Sequence, residues 1–223
     1  TLDLSDSTII ESIALEVKGD PSFSFLFWNI AGLADKLDDI NWLKLVRDYS
    51  FVCLQETWSV YTNYLDGYHS YAQPAVSSTA GRAKGGLITF VDNLSGVSLA
   101  RPFLSSDFYQ MGLFKIDRGM NLLCINFYNN ILMEERGTIM YKFDSDLEFM
   151  LNWHGLDPIV ISGGDFNCHL CCVNHVNACG IVDLEGNSIT HFEHTPWGTI
   201  LNRILIKYGF LFSNDFSSPQ MPM

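Results

Sequence analysis

Basic residues are scarce in this chain. Lys and Arg number 13 against 25 Asp and Glu, a formal net charge of −12. Proteins that grip nucleic acid through its phosphates carry a basic face. The balance therefore argues against a tight independent clamp on DNA and leaves weak contact that is local, metal-assisted or supplied from outside this sequence. Long apolar runs are also missing, since nothing approaches the ~20 residues that a membrane span requires. No basic segment precedes an apolar one in the opening "TLDLSDSTII", so no export signal is visible. Cysteines number only six. Without an export signal they are expected as reduced thiols, in an intracellular setting, nuclear or cytoplasmic. The chain starts with Thr rather than Met, which leaves room for a longer parent. No internal repeat or low-complexity tract appears, and nothing in the sequence sets an oligomeric state.

What is present points to a strand-rich interior. Of 223 residues 48% are hydrophobic and 13% aromatic, with 17 glycines for turns. This suits one globular domain over 23–223 behind a short extension, 1–22. Within the extension, "SDSTIIESIALEV" has the look of a capped amphipathic helix before the turn signal "KGDPS". "FSFLFWNI" (23–30) and "FVCLQE" (51–56) read as strands buried on both faces. Between them "DDINWLKLVRD" (38–48) reads as a helix with Ile40, Leu43 and Val46 or Leu45 on its inner side. Residues 58–79 read as an aromatic-rich loop. "LITFV", "VSLARPF", "FYQMGLFKI" and "NLLCINFY" follow as strands, with short turns that imply antiparallel pairing. A helix is expected over 138–154, with Ile139, Phe143, Leu147 and Met150 or Leu151 on one face. A strand then opens at Pro158, and a last helix spans about 196–208. Cys53 and Cys124 fall inside strands, where a thiol acts as a small hydrophobe.

Three apolar runs end in groups that a buried strand would not choose: Asn29, then Gln55 with Glu56, then Asp165 after "IVISGG". Burying one unpaired amide or acid costs about 1–3 kcal/mol. A single case is explained by a turn cap. Three at strand ends suggest one shared rim, since ligands of layered α/β folds gather where strands finish. Oxygen donors without thiolate or imidazole favour a hard cation, Mg²⁺ or Mn²⁺. The residues themselves reach metal-assisted phosphate chemistry and go no further.

Five segments in order, "WNIAGL" (28–33), "LQETW" (54–58), "GRAKGGLITFV" (81–91), "NFY" (126–128) and "GGDFN" (163–167), resemble the endonuclease/exonuclease/phosphatase superfamily, whose fold is that of deoxyribonuclease I. The likeness covers about residues 23–216 and is greatest to the endonuclease domain of non-LTR (LINE-type) retrotransposons. It implies a four-layered α/β sandwich, two packed mixed sheets with helices outside. It also implies roles. Glu56 would be the main Mg²⁺ ligand, with Asn29 beside it on the metal or its water. Asp165 would orient or deprotonate the attacking water, Asn167 would steady the phosphoryl oxygens, and Tyr128 would touch the scissile phosphate. Arg82 and Lys84 are candidates for further phosphate contact, weighed against a solvated loop, and Trp58 is read as packing.

The resembled pattern closes with Ser-x-x-Asp and Ser-Asp-His segments, and neither is visible after "SNDFSSPQMPM". Asp215 and Ser217 stand in the wrong order to replace them. C-terminal strands are expected to be absent, leaving a sheet edge open, and activity is expected to be feeble. Cys168, Cys171, His175 and Cys179 form C-x2-C-x3-H-x3-C, close to zinc-knuckle spacing. They follow directly on Asn167, where the resembled family places an ordinary loop, which favours a metal-free reading. The leading function is a Mg²⁺-dependent DNA-nicking endonuclease of retrotransposon origin. The alternatives are a phosphoinositide or sphingolipid phosphatase or phosphodiesterase, and a catalytically silent binding or structural module.

Overall fold

The computed structural model describes residues 10–15, 23–78, 81–100, 103–116, 119–129, 136–166 and 196–210. It divides into two compact units, Thr1–Glu134 with Ser145–Asn167, and Glu135–Asp144 with Cys168–Met223. The first unit holds two five-stranded mixed sheets.

The first sheet contains β1 (Ile10–Leu15), β2 (Phe23–Asn29), β3 (Phe51–Gln55), β4 (Tyr68–Gln73) and β5 (Leu87–Asp92), in the order β1-β2-β3-β5-β4. β2 and β3 run parallel because the crossover through α1 (Ile40–Val46) returns the chain to the same end. The second sheet contains β6 (Val97–Leu99), β7 (Leu104–Ser105), β8 (Tyr109–Ile116), β9 (Met120–Tyr128) and β10 (Ile159–Asp165). Its order is β10-β9-β8-β6, with β7 paired to β8. Here too one pair is parallel, β9 with β10.

Alternation along these strands sorts side chains into layers. Leu26, Trp28, Val52, Leu54, Ile88 and Phe90 face outward from the first sheet and pack with Trp42 and Val46 of α1. Phe25, Phe27, Phe51 and Cys53 face inward, against Phe114, Ile116, Leu122 and Cys124 of the second sheet. Phe25 stacks on Phe51 at 4.7 Å, and Phe51 meets Phe114 edge-on at 5.2 Å. On the far face of the second sheet, the Tyr109 hydroxyl donates to Asp146 of α2 (Arg136–Leu151) at 2.7 Å. The second half of that helix thus covers this sheet, with Leu147 and Met150 buried. The expected layering of helix, sheet, sheet and helix is present.

In the second unit, α3 (Pro196–Lys207) buries Leu201, Ile204 and Leu205. Lys207 and Tyr208 both reach the Asp144 carboxylate, at 3.0 and 2.9 Å.

Four expectations are corrected. Residues 10–15 form a strand rather than a helix, because pairing with β2 along its whole length supplies the backbone partners. Tyr68–Gln73, expected as loop, is an edge strand. The inner face of α1 is Trp42 and Val46, whereas Ile40 is 62% exposed. Asp39 caps this helix by accepting from the Asn41 and Trp42 amides, which fixes its rotation with Trp42 turned inward. On α2 the face passes through Met140 in place of Ile139.

Candidate active site

Parallel pairing brings strand ends together twice. Asn29 and Gln55 are register partners at the ends of β2 and β3, and Tyr128 and Asp165 at the ends of β9 and β10. Because the sheets face each other, these two pairs come together at one rim. Two hydrogen bonds then cross between the sheets. Asn29 Nδ2 donates to Asp165 Oδ2 at 2.8 Å, and the Tyr128 hydroxyl donates to Glu56 Oε1 at 2.8 Å. Four of the residues picked out in the sequence therefore meet. One detail differs: the contact of Asn29 is to Asp165, while its Oδ1 accepts the Ala31 amide at 3.3 Å.

The phenol of Tyr128 is pushed well above its ordinary pKa, first by burial, then by the hydrogen bond and charge of Glu56, and further by Asp165. It stays a neutral donor under ordinary conditions.

Glu56 is held by strained backbone. Its φ is +51°, a left-handed conformation that non-glycine residues seldom adopt, and Ala31 and Trp58 share it. Such strain costs about 1–3 kcal/mol per residue and persists only where neighbours enforce it. They do so here. The Gly32 and Leu33 amides donate to the carbonyls of Glu56 and Thr57, and the Thr57 and Trp58 amides donate to those of Gly86 and Gly85. The guanidinium of Arg82, an exposed residue, lies 3.6 Å over the Trp58 ring. Lys84 is exposed, its backbone paired with Val76. On β10, Gly163 lies against the Phe27 ring, where a Cβ would come within 2.5 Å. The missing side chain lets β10 approach the first sheet and carry Asp165 to Asn29.

Beneath the rim lies a layer of buried amides. Asn126 accepts from Gln55 Nε2 at 2.7 Å and donates to the carbonyls of Leu54 and Ile88. Gln110 accepts from the Thr89 hydroxyl at 2.9 Å and donates to the Tyr71 carbonyl at 3.0 Å. Each of these four side chains is at most 1% exposed. The sequence reading singled out Gln55 but missed Thr89, Gln110 and Asn126 as its partners. Their signal was present: a polar residue at an inward position of an apolar run, as in "FYQMGLF" and "CINFY". Directly below, the Cys53 and Cys124 thiols touch across the sheets at 3.7 Å.

The donor set can be tested against a hard cation. Glu56, Asp165 and the Asn29 carbonyl oxygen are all oxygen donors, the type Mg²⁺ prefers. Among the described residues no group of three or more His, Cys, Asp or Glu could cage a metal. Mg²⁺ commonly takes one or two carboxylates and fills its shell with water and phosphate oxygens. The rim fits that habit. Asn167, Cys168, Cys171, His175 and Cys179 lie outside the described residues.

No family model matches the chain, and no curated protein matches it. Among solved structures it is similar to the catalytic domain of APE2 from Xenopus laevis, with a TM-score of 0.54 and 20% identity over 80% of this chain. This chain spans 66% of that one. An AP endonuclease from Archaeoglobus fulgidus aligns with a TM-score of 0.49 and 16% identity, over 94% of this chain and 75% of that one. The first likeness is one of fold: two mixed sheets with helices, the deoxyribonuclease I-like architecture.

Proposed function

We propose that the rim is a Mg²⁺-dependent phosphodiester-hydrolysing site that nicks DNA, of the kind carried by LINE-type retrotransposons. The observation that carries the reading is the crossed pair of inter-sheet hydrogen bonds, Asn29 to Asp165 and Tyr128 to Glu56. It gathers two carboxylates, an amide and a neutral phenol at one strand-end rim, a set suited to an anionic substrate and a hard cation. The resemblance of five ordered motifs supports the substrate class.

Glu56, with the Asn29 carbonyl oxygen, would hold the cation, which when bound supplies neutralisation of charge on the phosphate. Asp165 orients a water and accepts its proton. Asn29 Nδ2 keeps that carboxylate in place by donating to its Oδ2. The Tyr128 hydroxyl exchanges its bond to Glu56 for one to a non-bridging phosphate oxygen. Its raised pKa serves this step, because an ionised phenol would repel the substrate. Arg82 and Lys84 of the "GRAKGG" segment would be further phosphate contacts.

The test is relaxation of supercoiled plasmid with Mg²⁺, compared with EDTA. Slow nicking is expected with Mg²⁺ and none with EDTA, and Glu56→Gln should lower it by about 100-fold or more. Nicking that persists in EDTA, or that survives Glu56→Gln, sinks the reading. Hydrolysis of inositol phosphates in place of plasmid would reassign the substrate.

A further inference from the structure

Beside Tyr128, on the side away from Asp165's strand, a cavity of about 370 Å³ opens among Pro74, Val76, Lys84, Asp107, Phe108 and Tyr128. That volume falls within the range of small-ligand sites. Its wall is fixed. Val76 and Lys84 exchange backbone hydrogen bonds at 2.9 and 3.1 Å, and the same segment continues into the Gly85 and Gly86 carbonyls that hold the Glu56 loop. The cavity and the rim thus share one stretch of backbone and one side chain, Tyr128.

We propose that this cavity seats the nucleoside flanking the scissile phosphate, a subsite that rests on the phosphodiesterase reading above. Its lining is divided by chemistry. Tyr128 stands at the scissile end. Pro74, Val76 and Phe108 offer apolar surface to a sugar and base. Lys84 supplies a cation for the next phosphate along the strand. Asp107 repels phosphate, so it faces the base or sugar, where N–H and O–H donors can meet it. One of its oxygens already accepts from Gln73 Nε2 at 3.1 Å, which holds the carboxylate in position. A bare phosphate satisfies only one part of this lining, whereas a nucleoside bearing phosphates on both sides satisfies all of it.

The experiment measures binding by the intact chain without added metal, following Trp fluorescence or calorimetry. Deoxyadenosine 3′,5′-bisphosphate is the probe, with inorganic phosphate and the tetramer d(AAAA) as companions. The bisphosphate is expected to bind at least 10-fold tighter than phosphate, and the tetramer at least as tightly as the bisphosphate. Val76→Trp, which fills the cavity from an exposed position, should weaken the bisphosphate by 10-fold or more. Lys84→Glu should weaken it by 3- to 10-fold and flatten its salt dependence. Thermal melts confirm that both variants are folded, and Lys84→Glu serves alone if Val76→Trp is not. Equal affinity for phosphate and bisphosphate overturns the proposal, as does bisphosphate binding indifferent to the variants or tighter than that of the tetramer. Because no turnover is measured, a chain that binds as expected yet never nicks plasmid loses the hydrolase reading alone. A chain that nicks plasmid while either variant binds normally loses this subsite alone.

Discussion

Where β2, β3 and β8 meet at Phe25, Phe51 and Phe114, the two sheets are joined by rings. A few residues along the same inner faces, at Gln55, Gln110 and Asn126, they are joined by amides. Both regions are sealed from water, and they do different work. Rings bury area and stabilise by about 1.5–3 kcal/mol each without demanding one orientation of the sheets. Amides contribute about 1 kcal/mol net per hydrogen bond, but each requires its partner at a set distance and angle. The aromatic end therefore supplies stability, and the amide end supplies alignment. Only the amide end lies under the rim, where Tyr128 must find Glu56 and Asn29 must find Asp165.

This contrast can be broken at either end. Phe51→Ala should have the largest effect on stability, a loss of about 3–5 kcal/mol in chemical denaturation. Metal or substrate binding per folded molecule should be unaltered. Asn126→Leu should cost less, about 1–3 kcal/mol, and yet lower activity per folded molecule by 10-fold or more. If Phe51→Ala impaired the site and Asn126→Leu spared it, the division of labour would be wrong. Tyr128→Phe removes one hydroxyl whose partner is half-exposed, so its stability cost should stay at about 1 kcal/mol or below. Its effect should fall on turnover, not on Mg²⁺ affinity measured by titration.

The smallest effect near neutrality comes from pH. Burial is the first cause that raises the phenols of Tyr68, Tyr109 and Tyr128, and Tyr68, with Asp92 nearby, is pushed up to about 12. An unfolded chain sheds these protons near pH 10. Their contribution is therefore complete below that pH and is lost as pH climbs through the folded-state values. Urea midpoints should not respond to these groups between pH 7 and 9 and should fall above 10. A rise above 10 would contradict the burial of these hydroxyls.

Much of this architecture could be read in advance from particular stretches. "FLFW", "FVCL" and "LITFV" are apolar without alternation, as strands covered on both faces must be, and all three are strands. Asn29, Glu56 and Asp165 stood out because each interrupts such a run, and Tyr128 came from the resemblance. The misses share a physical cause. "IESIAL" carries apolar residues compatible with both the helical and the strand period, and only the neighbouring strand decides between them. "YHSYAQ" is an edge strand, half-exposed on each face, and lacks the apolar signature. Thr89 and Gln110 looked like unremarkable interruptions because their partners are supplied by the opposite sheet, at separations of 21 to 39 residues in the chain. A local pattern cannot show a partner that distant.

The two bonds that define the rim join residues 136 and 72 positions apart. As the chain emerges from the ribosome, Glu56 waits for Tyr128, and Asn29 waits longer still, until β10 is delivered. A nascent chain that stops short of Asp165 holds Asn29 without its counterpart. The rim thus comes into being only when β10 is laid down.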